Sequence, residues 1–456
     1  MCNKLNAPLP EVTVVGAGLA GSEAAWILAE AGVNVDLYEM RPIVKTEAHR
    51  TALPAELVCS NSLGSDLPDR ASGLLKEELR RMNSLLVRAA EETRVPAGAA
   101  LAVDRDLFSK KVADALENHP RIRILRQELR DIPVGRPTLL AAGPLASPAL
   151  SESLARLTGK ENLFFFDAIA PVVSADSIDF TRAFRASRYD RDGSGDGDYI
   201  NCPFTREEYE TFIAALLSAE RIPLRSFEEA IRSGVRIGRG PFFEGCLPIE
   251  VLAERGKDAL AFGPLRPVGL IDPRTGKRPW ACLQLRQDNR NGSAYNLVGF
   301  QTNLKYPEQK RVFRTIPGLE NAEFLRYGEM HRNTFIAAAG VLNRGLQLIR
   351  YPNVFIAGQL AGVEGYMGNI AFGHVAARNM VRYLRNEPPV DWPEETMIGA
   401  LLKAVTGNDT DDIQPVKANF GILPELDAAI RSKKERAAQH VARALERYET
   451  DPFWDR

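Results

Sequence analysis

Residues 12–39 read VTVVGAGLAGSEAAWILAEAGVNVDLYE, and this stretch decides the fold. Val12-Thr13-Val14-Val15 is the short apolar, β-branched run expected of a buried parallel strand. Gly16, Gly18 and Gly21 then give G-x-G-x-x-G at a strand-to-helix turn. The first glycine permits the tight turn, the second lets the backbone approach a pyrophosphate, and the third lets helix and strand pack closely. The following helix, expected over Ser22 to Ala31 and closed by Gly32, faces the phosphate with its N-terminus. Val33 to Glu39 alternates towards a second strand. Glu39 ends it, about 20 residues on, where an acid can bond the adenosine ribose. An isolated glycine motif is weak, but strand, turn, helix, strand and terminal acid together make a dinucleotide site. The turn Gly16, Ala17, Gly18, Leu19, Ala20 and Gly21, with Glu39, is therefore the expected cofactor-binding set.

Further pieces of such a sheet recur along the chain. Ile122 to Leu125 and Thr138 to Ala142 read as strands, and so does Asn353 to Gly358 near the other end. A long helix is expected from about Ile370 to Leu384. The sheet thus collects strands from both ends of the chain, around a middle rich in Gly, Pro and Arg. That middle carries an amphipathic helix after Thr205, which has the capping-box spacing with Glu208. The expectation is an α/β protein with a Rossmann-like FAD-binding domain built from residues 9–165 and 325–456. An α+β domain would be inserted at 166–324. The C-terminal return suits a flavin, which extends beyond the first pyrophosphate site, better than NAD. Gly358 and Gln359 of that return join the expected cofactor set. A glycine-rich loop without ligand is the plainer alternative there. The stretch Asp190 to Asp198 is expected to be an exposed loop.

Composition sets outer bounds. The chain has 456 residues, 45% hydrophobic and 26% charged, enough for a sizeable core in more than one domain. No segment approaches the roughly 18 apolar residues of a membrane helix, and MCNKLNAPLP lacks a secretory signal's apolar core, so a cytoplasmic protein is expected. The net charge of −1 neither requires nor excludes a nucleic-acid partner, since local patches bind phosphate. Basic clusters lie at Arg274, Lys277 and Arg278, and at Lys305, Lys310, Arg311 and Arg314; solvated surface loops are the favoured reading of them. The five cysteines, Cys2, Cys59, Cys202, Cys246 and Cys282, form no CxxC pair, which argues against a disulfide framework and a structural metal site. Cys59 in ELVCSNSLGS and Cys246 in GPFFEGCLPIE sit among small and turn-forming residues. A substrate can reach a thiol in such a loop, although spacing alone favours inert structural cysteines.

At these motifs the chain resembles the folate- and FAD-dependent tRNA (uracil-5-)-methyltransferase family, TrmFO. The resemblance is carried by VVGAGLAGSEAA, YEMRP, ELVCSNSLGS, GLLKEELR, FFFDAIAPVV, FEGCLPIEVLAERG and FGPLRPVGLIDPRTGKRP. It continues through LRQDN, YNLVGFQTNLKYPEQKRVFRTIPGLENAEFLRYG, MHRNTFI, GQLAGVEGY and ANFGILP, nearly the full length. Two stretches depart from the pattern. After GVEGY the family has a small-residue run resembling ESAASG where this chain has MGNIAFG (367–373), and FIAAAGVLN (335–343) lacks expected polar residues. Both concern the flavin or folate pocket.

The resemblance implies methylation of C5 of a T-loop uridine in tRNA, forming ribothymidine. Methylenetetrahydrofolate supplies the carbon by way of reduced FAD, and NADPH or NADH reduces the flavin again. It implies tRNA and folate as partners, with no membrane and no stable protein partner. Uridine C5 is not nucleophilic until a thiolate adds to C6, so this route needs a cysteine. Cys246 is the expected nucleophile, with Arg236 and Arg239 able to supply positive charge, and Cys59 the partner that takes the C5 proton or supports the flavin adduct. The reverse assignment stays open. Tyr366 matches the family's flavin-stacking aromatic, whereas Arg286, Asp288, His331 and Arg332 lie in matching motifs without an assignable role. Two rivals remain: a flavoprotein modifying another RNA uridine, such as the tRNA wobble position or one in rRNA, and a small-molecule flavin oxidoreductase. The FEGC and LRQDN motifs argue against the wobble group.

Overall fold

The computed structural model describes residues 10–46, 48–160, 163–188, 197–222, 247–407, 415–426, 430–450 and 453–454. A five-stranded sheet runs in the order Val354–Ile356, Thr138–Leu140, Val12–Val15, Val35–Glu39, Ile122–Arg126. All four pairings are parallel, with Val14 opposite Leu37 and Leu139, and Phe355 also opposite Leu139. Val12–Val15 is buried along its whole length, which explains why it carries no alternating polar face. The strand nearest the C-terminus thus completes the sheet begun at the N-terminus. The fold is the expected α/β, Rossmann-like arrangement.

Two helices pack on one another beside the glycine turn, Leu19–Glu30 and Tyr366–Leu384. Glycines set how closely they approach. A Cβ on Gly373 would lie 2.2 Å from the Ala20 carbonyl oxygen, and one on Gly21 only 1.8 Å from that of Gly16. Both helices start earlier than the sequence suggests, by three and four residues, because Gly18 and Gly365 act as their N-caps. A buried polar chain also joins them. Arg378 Nε donates to His374 Nε2 (2.9 Å), so the His374 proton sits on Nδ1 and is donated to Glu23 Oε1 (3.0 Å). Burial accordingly holds the His374 imidazole below its ordinary pKa.

A second, antiparallel sheet has six strands, in the order Phe184–Arg185, Tyr199–Phe204, Ala281–Gln287, Ala294–Leu297, Val172–Ser174, Phe324–Arg326. Helix Arg206–Leu217 covers it, and both halves of the Thr205/Glu208 capping box are formed. Phe204, Phe212, Phe300 and Phe313 pack ring against ring in succession in its own hydrophobic core. The core around the parallel sheet draws on residues before Ala168 and after Phe335. A ribbon of Leu163–Ala168 against Met330–Phe335 links the two regions. Among the described residues no helix is long and apolar enough to cross a membrane.

The C-terminal helices dock through one carboxyl group. Glu78 is fully buried and accepts from Met397 N (2.6 Å), Ile398 N (3.0 Å) and the Tyr448 hydroxyl (3.2 Å). Burial pushes its pKa up from 4.5 to about 7, against the opposing pull of these hydrogen bonds. A carboxyl whose folded pKa is raised stabilises the fold below its unfolded pKa and loses that contribution as pH climbs through the folded one. Glu78→Gln cannot ionise, although its amide NH2 must face one of these N–H donors, which costs stability at every pH. In urea unfolding the parent should therefore lose about 3 kcal/mol relative to the variant between pH 4.5 and pH 8.

Candidate active site

The glycine turn opens a cleft lined by Gly16, Gly18, Leu19, Ala20 and Glu39 at one end and Gly358, Gln359 and Tyr366 at the other. The empty space is about 1010 Å³, counting the part open to solvent. Gly16 needs glycine twice over: its φ is +97°, and a Cβ would sit 2.6 Å from the Ala141 carbonyl oxygen. At Gly18 an added Cβ meets no protein atom within 4 Å. The helix beginning at Leu19 has no side-chain cap and no acid in its first turn. Its first amide groups are therefore available to an anion. Ala17 and Gly21 do not line the cleft. The Ala17 amide is donated to Glu39 Oε2 (3.1 Å), and Gly21 serves the packing of the turn.

Glu39 is fixed at the edge of the cleft by Arg41. Arg41 donates to it from its backbone N (3.0 Å), Nε (2.8 Å) and Nη2 (3.2 Å), and Arg41 in turn reaches Glu56 (3.0 Å) and the Thr51 carbonyl (3.1 Å). Although burial pushes the Glu39 carboxyl up, the hydrogen bonds and charge of Arg41 win and hold it below its ordinary pKa. Sequence reasoning found Glu39 but missed Arg41, although YEMRP places it two residues on. It also missed Asn369, whose side chain accepts from Gln359 N (2.6 Å) and donates to the Gly365 carbonyl (2.9 Å). Asn369 thereby staples the two glycine turns of the C-terminal return.

Cys59 lies on the loop that meets the Tyr366 end. The Tyr366 hydroxyl oxygen accepts from the backbone N of Cys59 (2.8 Å) and of Ser60 (3.0 Å). Burial pushes the Tyr366 phenol well above its ordinary pKa, which keeps it neutral. Three guanidinium groups bracket the same loop. Arg105 Nη1 donates to the Leu57 carbonyl (2.9 Å), Arg326 Nη1 to that of Val58 (3.3 Å), and Arg286 Nη2 to Ser60 Oγ (2.7 Å). Asp288 is bound by Arg105 (3.0 Å). Nε and Nη2 of Arg326 are buried with no hydrogen-bond partner among the described residues. Burial draws the Arg326 pKa down to about 10. Cys59 is half-buried, whereas Cys202 and Cys282 are buried within the antiparallel sheet and burial pushes both thiols up. Cys246, Arg236 and Arg239 lie outside the described residues, as does most of Asp190 to Asp198. His331 and Arg332 fall on the linking ribbon, opposite Asp167 and Phe166.

A family model described as "Glucose inhibited division protein A" matches residues 11–388. The methylenetetrahydrofolate--tRNA-(uracil-5-)-methyltransferase TrmFO of Heliobacterium modesticaldum is 53% identical over 438 residues, covering 96% of this chain and 97% of that protein. The protein of the same name from Bacillus pumilus is 51% identical, covering 96% and 98%. The chain belongs to the TrmFO family. Among solved structures, GidA of Aquifex aeolicus superposes with a TM-score of 0.67 at 15% identity, covering 96% of this chain and 72% of that one. That likeness concerns the fold. The departure from the TrmFO pattern at 367–373 has a local account in this chain. Gly368 and Gly373 stand where a Cβ would crowd Val363 (2.7 Å) and Ala20 (2.2 Å), and Asn369 is the staple described above. For residues 335–343 the structure offers a packing account only: Phe335, Ile336, Ala338, Val341 and Leu342 are buried.

Proposed function

We propose that this chain uses methylenetetrahydrofolate and FAD to methylate C5 of a T-loop uridine in tRNA, with NADPH or NADH as reductant. The observation that carries the reading is near-full-length identity of about half with methyltransferases of that name. The cleft's chemistry agrees with it. FAD fits the residues present: an open cradle at Gly18, unpartnered first amides of the following helix, and an acid at Glu39. In this reading Gly16, Gly18, Leu19 and Ala20 hold the pyrophosphate, Glu39 the ribose, and Gly358, Gln359 and Tyr366 the flavin end. FAD, when bound, supplies the redox chemistry that turns the folate's carbon into a methyl group. The protein's own part is thiol chemistry. A Cys246 thiolate adds to uridine C6, which places electron density on C5. Once C5 has gained its carbon, the Cys59 thiolate takes the C5 proton and the S–C6 bond breaks. The guanidinium groups of Arg105, Arg286 and Arg326 supply the positive surroundings in which a thiol works as an anion. Residues 9–165 and 325–456 would form the flavin domain and 166–324 the RNA-side insertion, a division that the two separate cores support. A cytoplasmic location accords with a tRNA substrate.

Methylenetetrahydrofolate labelled in its one-carbon unit, incubated with the yellow protein, NADPH and unmodified tRNA, tests the reading. Label in the C5-methyl group of the T-loop uridine is the expected result. Label at another uridine or only in rRNA would move the substrate. Flavin turnover without labelled RNA would leave a small-molecule oxidoreductase.

A further inference from the structure

A second groove lies far from the thiol loop, in the antiparallel region. It encloses about 2040 Å³, counting the part open to solvent, between helix Arg206–Leu217 and the turn at 272–280. Arg206, Arg266, Lys277 and Arg278 line it, all of them exposed. Two large apolar rings stand in the same groove: Phe262 is 83% exposed and Trp280 42%. The Arg206 guanidinium lies over the Trp280 ring, 5.1 Å from its centroid.

The basic residues of this region are not equivalent. Lys305 pairs with Glu220 (2.6 Å) and Arg311 with Glu308 (2.6 Å), so these two cations are neutralised by their own neighbours. Arg274 is likewise taken up by Asp272 (2.6 Å). Arg266, Lys277 and Arg278 form no ion pair among the described residues. Exposed cations beside exposed aromatic rings form the combination that binds unpaired nucleotides. The cations follow the phosphates and the rings stack on bases.

The position of the groove sets its relation to the reaction. Strand Ala281–Gln287 runs from one place to the other. Arg286 at one end bonds Ser60 beside Cys59, and Trp280 precedes the other end, where its backbone N donates to the Phe204 carbonyl. Six residue steps at the rise of an extended strand span about 20 Å. A free nucleotide is too short to bridge that distance, whereas an RNA with several ordered nucleotides on either side of its target can. We infer that this groove is a second RNA anchor, binding an unpaired segment of the substrate about 20 Å from the thiol loop, with Lys277, Arg278 and Arg266 on phosphates and Trp280 and Phe262 on bases. The inference rests on the RNA reading above.

The test uses full-length flavin-loaded protein and an unmodified tRNA transcript, with affinity measured across a salt series. Lys277→Gln with Arg278→Gln should lower the magnitude of the slope of log affinity against log salt by about 1.5, and weaken binding most at low salt. Trp280→Ala should weaken binding by roughly tenfold, and Trp280→Phe should restore most of it. In both variants KM for tRNA should rise while flavin content and NADPH-driven flavin reduction without RNA stay at parental values. Parental affinity and salt slope in the variants, with a parent that binds tRNA, would overturn the groove alone and leave it to a partner other than RNA. A parent that neither binds nor methylates tRNA would overturn the functional reading instead.

Discussion

Gly18→Val is expected to yield a folded protein that purifies colourless. Gly18 has an extended backbone, φ −72° and ψ −166°, which a β-branched residue adopts without strain. Its added Cβ meets no protein atom within 4 Å, so nothing in the fold has to move. The new side chain points into the cleft instead, in the space where the pyrophosphate must approach the backbone. Flavin content, read as the ratio of absorbance near 450 nm to that at 280 nm, should fall by about tenfold or more. The thermal midpoint of the flavin-free protein should stay near that of the parent stripped of flavin. Gly21→Val is the contrasting control. There a Cβ would lie 1.8 Å from the Gly16 carbonyl oxygen, and the variant should lose stability before cofactor binding can be asked about. A Gly18→Val protein with a full flavin spectrum would mean that the pyrophosphate lies elsewhere.

The contrast between these glycines shows which features the sequence reveals and which it hides. The spacing of Gly16, Gly18 and Gly21 announces a tight turn, and the β-branched run before it announces a buried strand, because both signals are local. The pairing of Val354–Ile356 with Thr138–Leu140 follows less directly, from a strand and glycines reappearing far along the chain. What stayed hidden depends on contacts between segments distant in sequence. Asn369 lies in a run that reads only as a departure from the family pattern, and its role as a staple appears once Gln359 and Gly365 are seen beside it. Arg326 and Arg286 come from strands more than 220 residues from the Cys59 loop, and no periodicity links them to it. The basic clusters are hard to read from sequence for a different reason. Counting Lys305 and Arg311 as a patch overlooks Glu220 and Glu308, which neutralise them, whereas Lys277 and Arg278 remain available. A charge run acquires meaning only with its counter-ions.

Cys246→Ala is expected to fold, bind FAD and accept electrons from NADPH, yet transfer no methyl group to RNA. The segment that follows is anchored independently of the thiol. Glu250, on helix Ile249–Glu254, accepts from Asn303 N (2.7 Å) and Thr302 Oγ1 (2.9 Å). Without sulfur addition at C6, uridine C5 has no electron density to offer, so the loss should be complete within detection. Cys59→Ala removes a half-buried side chain but leaves the backbone bonds to Tyr366 in place. Its turnover should fall by about 10²–10⁴-fold, the usual range when a general base is lost. The two thiols separate in one experiment. RNA carrying 5-fluorouridine should trap a covalent complex with the parent protein, because fluorine cannot leave C5 as a proton does. Cys59→Ala should still form that complex, and Cys246→Ala should not. Peptide mapping of the adduct then decides the assignment: attachment at Cys246 is expected, attachment at Cys59 reverses the two roles, and attachment at neither removes thiol addition from the mechanism.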